Sequence, residues 1–254
     1  MPTELPLDRH LDGLRCAMVA FVRYADRAGP TAPVPTCPDW TVLDLVAHQG
    51  MVHRWAAALL RGQQDVDADA LEAQGRAEPD PLAWLLAGAA DLAGVLDRAA
   101  PDTRAPVFLR DAPAPREFWA RRQCHETTVH AADALSAALG RLPVPADTWI
   151  DDDVAVDGID ELLGGFLTRP RSQLRCDDDA VLVVAPDDAV DWWRVRLGPR
   201  PAVTERLTGP RHGLDDADWV LGGSAVDLYL SLWNRTGSPV LGDGWRERAA
   251  ITWS

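Results

Sequence analysis

Ten residues, RRQCHETTVH from Arg121 to His130, place two histidines and a glutamate in a stretch that otherwise reads as helix. Each helical residue advances about 100°, so His125 and His130, five apart, point roughly 140° away from one another. They cannot share a face, and the spacing is one residue too long for the H-E-x-x-H pattern of zinc proteases. Glu126 and His130, four apart, differ by about 40° and lie one above the other on a single stripe. One carboxylate and one imidazole on one stripe are two ligands for a divalent metal ion, and they call for a third.

His48 is the candidate. It sits among Leu45, Val52, Trp55 and Leu59 on the apolar stripe of another helix. Taken alone, such a histidine reads as a core residue satisfied by a hydrogen bond. Facing helices of a bundle can bring that stripe against Glu126 and His130, and one metal ion then satisfies all three. Two imidazoles and a carboxylate are the set expected of catalytic zinc, which keeps a fourth position open, whereas a structural site is normally closed by four protein ligands.

The elements that must position these residues follow from periodicity. Leu7, Leu11, Leu14, Met18, Phe21 and Ala25 recur at three and four, as do Leu82, Leu85, Ala89, Leu92, Leu96 and Ala99. The His48 helix starts at Thr41, with Asp44 three residues on in a capping-box arrangement behind the turn-forming PTCPD. A fourth helix runs from near Pro115 to about Gly140, a suitable C-terminal cap. Four such helices predict an up-and-down bundle. The proline-punctuated RLPVPAD marks a boundary, giving domains over 1–143 and 144–254.

Beyond it the pattern is mixed. An acidic helical segment, Asp151 to Leu167, precedes AVLVVAPD and DWWRVRLG, which read as a hairpin, and PAVTERL and DWVLGG extend the sheet. A helix, SAVDLYLSLWNR, closes with Gly237. The expected class is α+β, a helical bundle followed by a small domain with a helix on an antiparallel sheet.

Composition excludes several functions. A formal charge of −14, with no basic run to offset it, opposes binding to a phosphate backbone. No window holds eighteen uninterrupted apolar residues and the N-terminus lacks a basic-then-apolar leader, so neither a membrane partner nor export is expected and the chain reads as cytoplasmic. The four scattered cysteines, Cys16, Cys37, Cys124 and Cys176, form no C-x-x-C pair and suggest neither disulfides nor a thiolate zinc site. Every one of the 25 basic residues is arginine, a bias that hints at a high-G+C genome.

Two blocks, VPTCPDWTVLDLVAHQGMVHRWAAAL and FWARRQCHETTVHAADAL, resemble the diagnostic segments of the mycothiol-dependent maleylpyruvate isomerase family, whose metal-binding bundle is DinB-like. The resemblance places His48, Glu126 and His130 on the family's metal-ligand positions, the three that the helix faces select. VLGGSAVDLYLSLWNR is similar to the closing motif of the family's C-terminal domain, which is related to sterol carrier proteins. Arg235 falls on the position expected to face the active site, with Asn234 in place of the usual glycine. The resemblance implies an isomerase or S-transferase that takes mycothiol, the low-molecular-weight thiol of actinobacteria, to a zinc ion as thiolate for attack on a small electrophile. An arginine such as Arg235 suits a carboxylate on that electrophile, because its fork binds carboxylate bidentately, and the alternative is a surface arginine that bonds the last carbonyls of its helix.

The neighbouring polar residues carry weaker expectations. His53, like His125, is five positions from a ligand and should point off the metal face, as a surface or inter-helix histidine. Asp133 reads equally as a partner of His130 or as a solvated aspartate. Asp44 reads as a helix cap, Arg122 as half of an ion pair on the bundle surface or as a residue approaching the site, and the tryptophans, Trp40 included, as apolar fillers. Two other functions fit the same metal set. A metal-bound water would make a hydrolase, and a site closed by a fourth protein ligand would make a non-catalytic, regulatory zinc protein.

Overall fold

The computed structural model of the chain describes residues 5–63, 65–110, 112–236 and 243–249. These fall into two compact units, one of residues 5–108 and 112–143, the other of 109–110, 144–236 and 243–249.

The first unit is built from α1 (Leu7–Ala28), α2 (Val42–Leu60), α3 (Ala68–Ala77), α4 (Pro81–Arg98) and α5 (Pro115–Leu139). The expected stripes are the core: Leu11, Leu14, Met18 and Phe21 of α1 and Leu85, Leu92 and Leu96 of α4 are all buried, each such side chain contributing about 1.5–3 kcal/mol. α1 packs on α5, while α2 packs on α3, α4 and α5. Thr41 and Asp44 form the anticipated capping box of α2. α5 ends at Gly140, which adopts the left-handed conformation at φ 67°.

Two features depart from expectation. PTCPD is more than a turn: β1 (Pro33–Val34) and β2 (Cys37–Thr41) pair antiparallel and lead straight into α2. A fifth helix, α3, also joins the bundle. Its sequence, ADALEAQGRA, has too few large apolar residues to show a stripe, and its docking depends on small ones. The Trp84 ring of α4 fills the space left by the missing side chains of Gly50 on α2 and Gly75 on α3.

The second unit carries α6 (Asp152–Asp160), continued by a π-helical segment (Glu161–Phe166), then β3 (Ala180–Val184), β4 (Asp191–Leu197), β5 (Val203–Thr208), β6 (Trp219–Leu221), α7 (Ala225–Leu232) and α8 (Asp243–Arg248). The sheet order is β5-β4-β3-β6. The anticipated hairpin is β3–β4, and β5 adds to it antiparallel. β6 instead lies parallel to β3, because the chain crosses the sheet after β5 rather than turning back on it. Trp193 of β4 donates to Asp160, and Thr204 of β5 to the Leu163 carbonyl, tying the sheet to α6 and its extension.

The helix expected on the sheet is α7, which carries Val226 and Leu230 and is followed by Trp233. All three are buried, but the main neighbour of α7 is α6, to whose Gly158 carbonyl the Trp233 ring donates. The helix ends at Leu232, earlier than SAVDLYLSLWNR implied. Asn234 takes φ 61°, and the Asn234 and Arg235 amides donate back to the Ser231 and Leu230 carbonyls. This is a Schellman closure, and asparagine here supplies the left-handed residue that glycine usually provides. Gly237, expected as the helix stop, lies outside the described residues.

Candidate metal site

The candidate site lies wholly within the helical unit. α2 contributes His48, and α5 contributes Glu126 and His130. The Glu126 Oε1 atom lies 3.8 Å from His48 Nε2 and 3.4 Å from His130 Nε2. One ligand atom from each of the three residues falls within 4.8 Å of the others. Ligands about 2.0–2.1 Å from a tetrahedral zinc ion stand about 3.3 Å apart. The observed separations are near that value and long for direct hydrogen bonds.

The outer atoms of Glu126 and His130 are hydrogen-bonded elsewhere and that of His48 faces a carboxylate, which leaves the inner atoms to converge. His130 Nδ1 lies 2.8 Å from Asp133 Oδ2, which favours a proton on Nδ1 and a lone pair on Nε2. Arg122 Nη2 donates to Glu126 Oε2 at 2.8 Å, leaving Oε1 for the centre. His48 Nδ1 faces Glu72 Oε2 at 3.6 Å. Both α5 supports follow from spacing, since Arg122 is four residues before Glu126 and Asp133 three after His130. The Trp40 ring of β2 forms one wall, its centroid 4.9 Å from that of His48 and 6.0 Å from that of His130.

The electrostatics follow from these contacts. Burial alone would raise the Glu126 pKa, but Arg122, with both histidines, holds it well below the usual carboxylate range. Burial likewise disfavours a charged His130, yet the Asp133 and Glu126 carboxylates outweigh it and raise the pKa to about 9. The pocket therefore stabilises positive charge at its centre, which a divalent cation provides. Two imidazoles and a carboxylate suit a divalent first-row metal ion.

Other expectations meet mixed outcomes. His53 is an inter-helix histidine, with Nε2 2.8 Å from Gln49 Nε2 and 2.9 Å from Thr127 Oγ1. Desolvation lowers its pKa to about 3, so the ring is neutral. His125 is buried with its ring against His10, away from the three. Asp44 caps α2 and also binds Arg76. Asp133 is the partner of His130 and not a solvated aspartate. Arg122 is no surface residue: its side chain is 2% exposed, because every residue of α5 from Phe118 to Ser136 is buried. Arg235 belongs to the other unit, just past α7, where its Nη1 donates to the Trp233 carbonyl at 2.8 Å. Reading the residues in isolation missed Glu72 and the place of Trp40; the nearness of Trp40 to the His48 helix was the available signal for the latter.

A helical bundle with two imidazoles and a carboxylate converging between two of its helices, followed by an α+β unit, defines the class. Residues 11–135 match the mycothiol maleylpyruvate isomerase N-terminal domain, and residues 153–251 match the MDMPI C-terminal domain. The chain belongs to the mycothiol-dependent maleylpyruvate isomerase family. A solved mycothiol-dependent maleylpyruvate isomerase is similar over 94% of both chains, with a TM-score of 0.62 at 17% identity. A histidine-to-alanine mutant of a mycothiol-dependent maleylpyruvate isomerase is similar over 92% of both, with a TM-score of 0.61 at 16% identity. No curated protein matches the chain. Among the described residues, no helix is long and apolar enough to cross a membrane.

Proposed function

We propose that this chain is an enzyme that uses mycothiol and a divalent metal ion, zinc in this reading, either to isomerise a small electrophile such as an unsaturated carboxylate or to join the thiol sulfur to it. The observation that carries the reading is the convergence of His48 Nε2, Glu126 Oε1 and His130 Nε2 with their outer atoms turned to other partners. When bound there, the ion supplies the Lewis acidity that favours thiolate over thiol.

The side chains set the terms of that chemistry. Asp133 directs the lone pair of His130 inward, and Arg122 occupies the second oxygen of Glu126, so three protein atoms would hold the ion, which would supply Lewis acidity to the thiol. In an isomerisation the sulfur bonds to one alkene carbon and the π electrons move to the conjugated carbonyl. The former double bond then rotates, and return of the pair expels the thiol, with nothing oxidised or reduced. A transferase keeps the new C–S bond. By family resemblance, Arg235 clamps the carboxylate of the electrophile.

Metal analysis and a thiol-dependence assay with maleylpyruvate test this. About one zinc per chain is expected, and turnover should require mycothiol. His130→Ala should lose both properties while His125→Ala keeps them. Arg235→Ala should keep the metal and lose turnover worth about 2–5 kcal/mol, the range for truncating one partner of a buried charge pair. Turnover undiminished without thiol would replace this reading with a metal-activated water.

A further inference from the structure

Gly75 sets the seat of α3. A β-carbon there would stand 3.1 Å from the Ala47 Cα atom and 2.6 Å from the Trp84 ring, so only glycine allows α3 this close to α2. Ala47 adjoins His48 in sequence. Glu72 lies three residues before Gly75 and therefore one turn along the same face of α3. That face brings Glu72 Oε2 to 3.6 Å from His48 Nδ1, while Oε1 accepts from Arg76 Nη2 at 2.5 Å. Arg76 Nε in turn donates to Asp44 at 2.9 Å, and Asp44 is fixed by the capping box at the start of α2. The Glu72 carboxylate is thus aimed from two sides, by the glycine contact and by an arginine anchored on the helix that carries His48.

We propose that Glu72 is a positioning residue of the metal site: its carboxylate holds the His48 proton on Nδ1 and turns Nε2 toward Glu126 and His130. It is the counterpart from α3 of Asp133, which does the same for His130 within α5. Metal-ligating histidines commonly donate the other ring N–H to a carboxylate, and removing that partner typically weakens metal binding about 10–100-fold. The proposal rests on reading His48, Glu126 and His130 as metal ligands.

The test compares the full-length protein with Glu72→Ala, Glu72→Gln and Gly75→Val by two measurements: zinc affinity in competition with a chelator, and heteronuclear NMR of the His48 ring nitrogens in zinc-free protein. Glu72→Ala should bind zinc about 10–100-fold more weakly and shift His48 from the Nδ1–H to the Nε2–H tautomer. Glu72→Gln should recover part of both, because its amide oxygen still turns a partial negative charge toward Nδ1–H. Gly75→Val should move both in the same direction by lifting α3 from α2. Unchanged affinity and tautomer in Glu72→Ala would overturn the proposal, and so would weaker zinc binding with an unchanged tautomer, which is the mark of a role in charge or packing alone. If the wild-type protein takes up no zinc, the metal reading fails, and the tautomer comparison by itself supports or overturns the role of Glu72.

Discussion

The two halves of the candidate site are built differently. On α5, ligands and supports are four residues of one helix, Arg122, Glu126, His130 and Asp133, all buried and joined by contacts of 2.8 Å. On the other side, His48 comes from α2 and its support from α3, across a 3.6 Å gap between side chains 18% and 22% exposed. The first half is assembled as soon as α5 forms, because three- and four-residue spacings stack side chains without help. The second exists only once two helices have docked through Gly75. A site made this way has one rigid wall and one that depends on tertiary packing.

The largest effect should come from breaking the rigid wall. Arg122→Met removes one partner of a buried ion pair and leaves the Glu126 carboxylate to the two histidines alone, a loss that reaches about 3–5 kcal/mol where a buried charge keeps no partner. Urea denaturation of the zinc-free protein should show the loss, and Glu126→Gln in the same background should restore part of it. A loss below about 1 kcal/mol, the range of a solvent-exposed pair, would mean that the wall is not rigid.

His130→Ala should come next. Zinc held by four ligands is worth about 10–16 kcal/mol, so one ligand accounts for about 2.5–4 kcal/mol, or roughly 10²–10³-fold in affinity. The supports should rank below the ligands and in an order set by geometry. Asp133→Ala, at the short contact, should lie near the upper end of the roughly 10–100-fold range for such partners, and Glu72→Ala, at the longer one, near the lower end. Chelator competition measures all three variants. The reverse order for Asp133 and Glu72 would show that the exposed wall, and not α5, sets the affinity.

The same contrast explains what was legible in the sequence. The stripe pairing Glu126 with His130, its exclusion of His125, and the capping box at Thr41 all follow from helical geometry. The burial of Arg122 does not, because spacing shows what stacks on it and not what covers the helix. His48 needed a second helix to face the first, a tertiary fact that the apolar stripe and the family resemblance together supplied. Glu72 left no local signal: α3 is short, polar and held by contacts that glycine and alanine make possible. The parallel β6 escaped for a related reason, since a three-residue strand records its length and not the direction in which it pairs.

His53 offers the smallest and most graded test, at the seam where the two walls meet. It belongs to α2, and its Nε2 lies beside Gln49 of the same helix and Thr127 of α5. With Gln49 donating, that nitrogen must accept, which only the neutral ring can do. Burial holds the folded pKa at about 3, whereas an unfolded histidine titrates near 6.5. Between these values the unfolded state binds a proton that the native state does not, so the stability present above about pH 6.5 is lost as pH falls toward 3, at about 1.4 kcal/mol per pH unit. From pH 6.5 to 5.5 this slope is isolated by the difference between wild type and a His53 variant, because His130, raised to about 9, contributes equally to both. His53→Gln, which keeps a polar group between Gln49 and Thr127 without a titrating ring, should flatten the slope of zinc-free protein by about 1 kcal/mol across that window. An unchanged slope in the variant would mean that the two walls are not joined through a neutral His53, and that acid acts on the fold elsewhere.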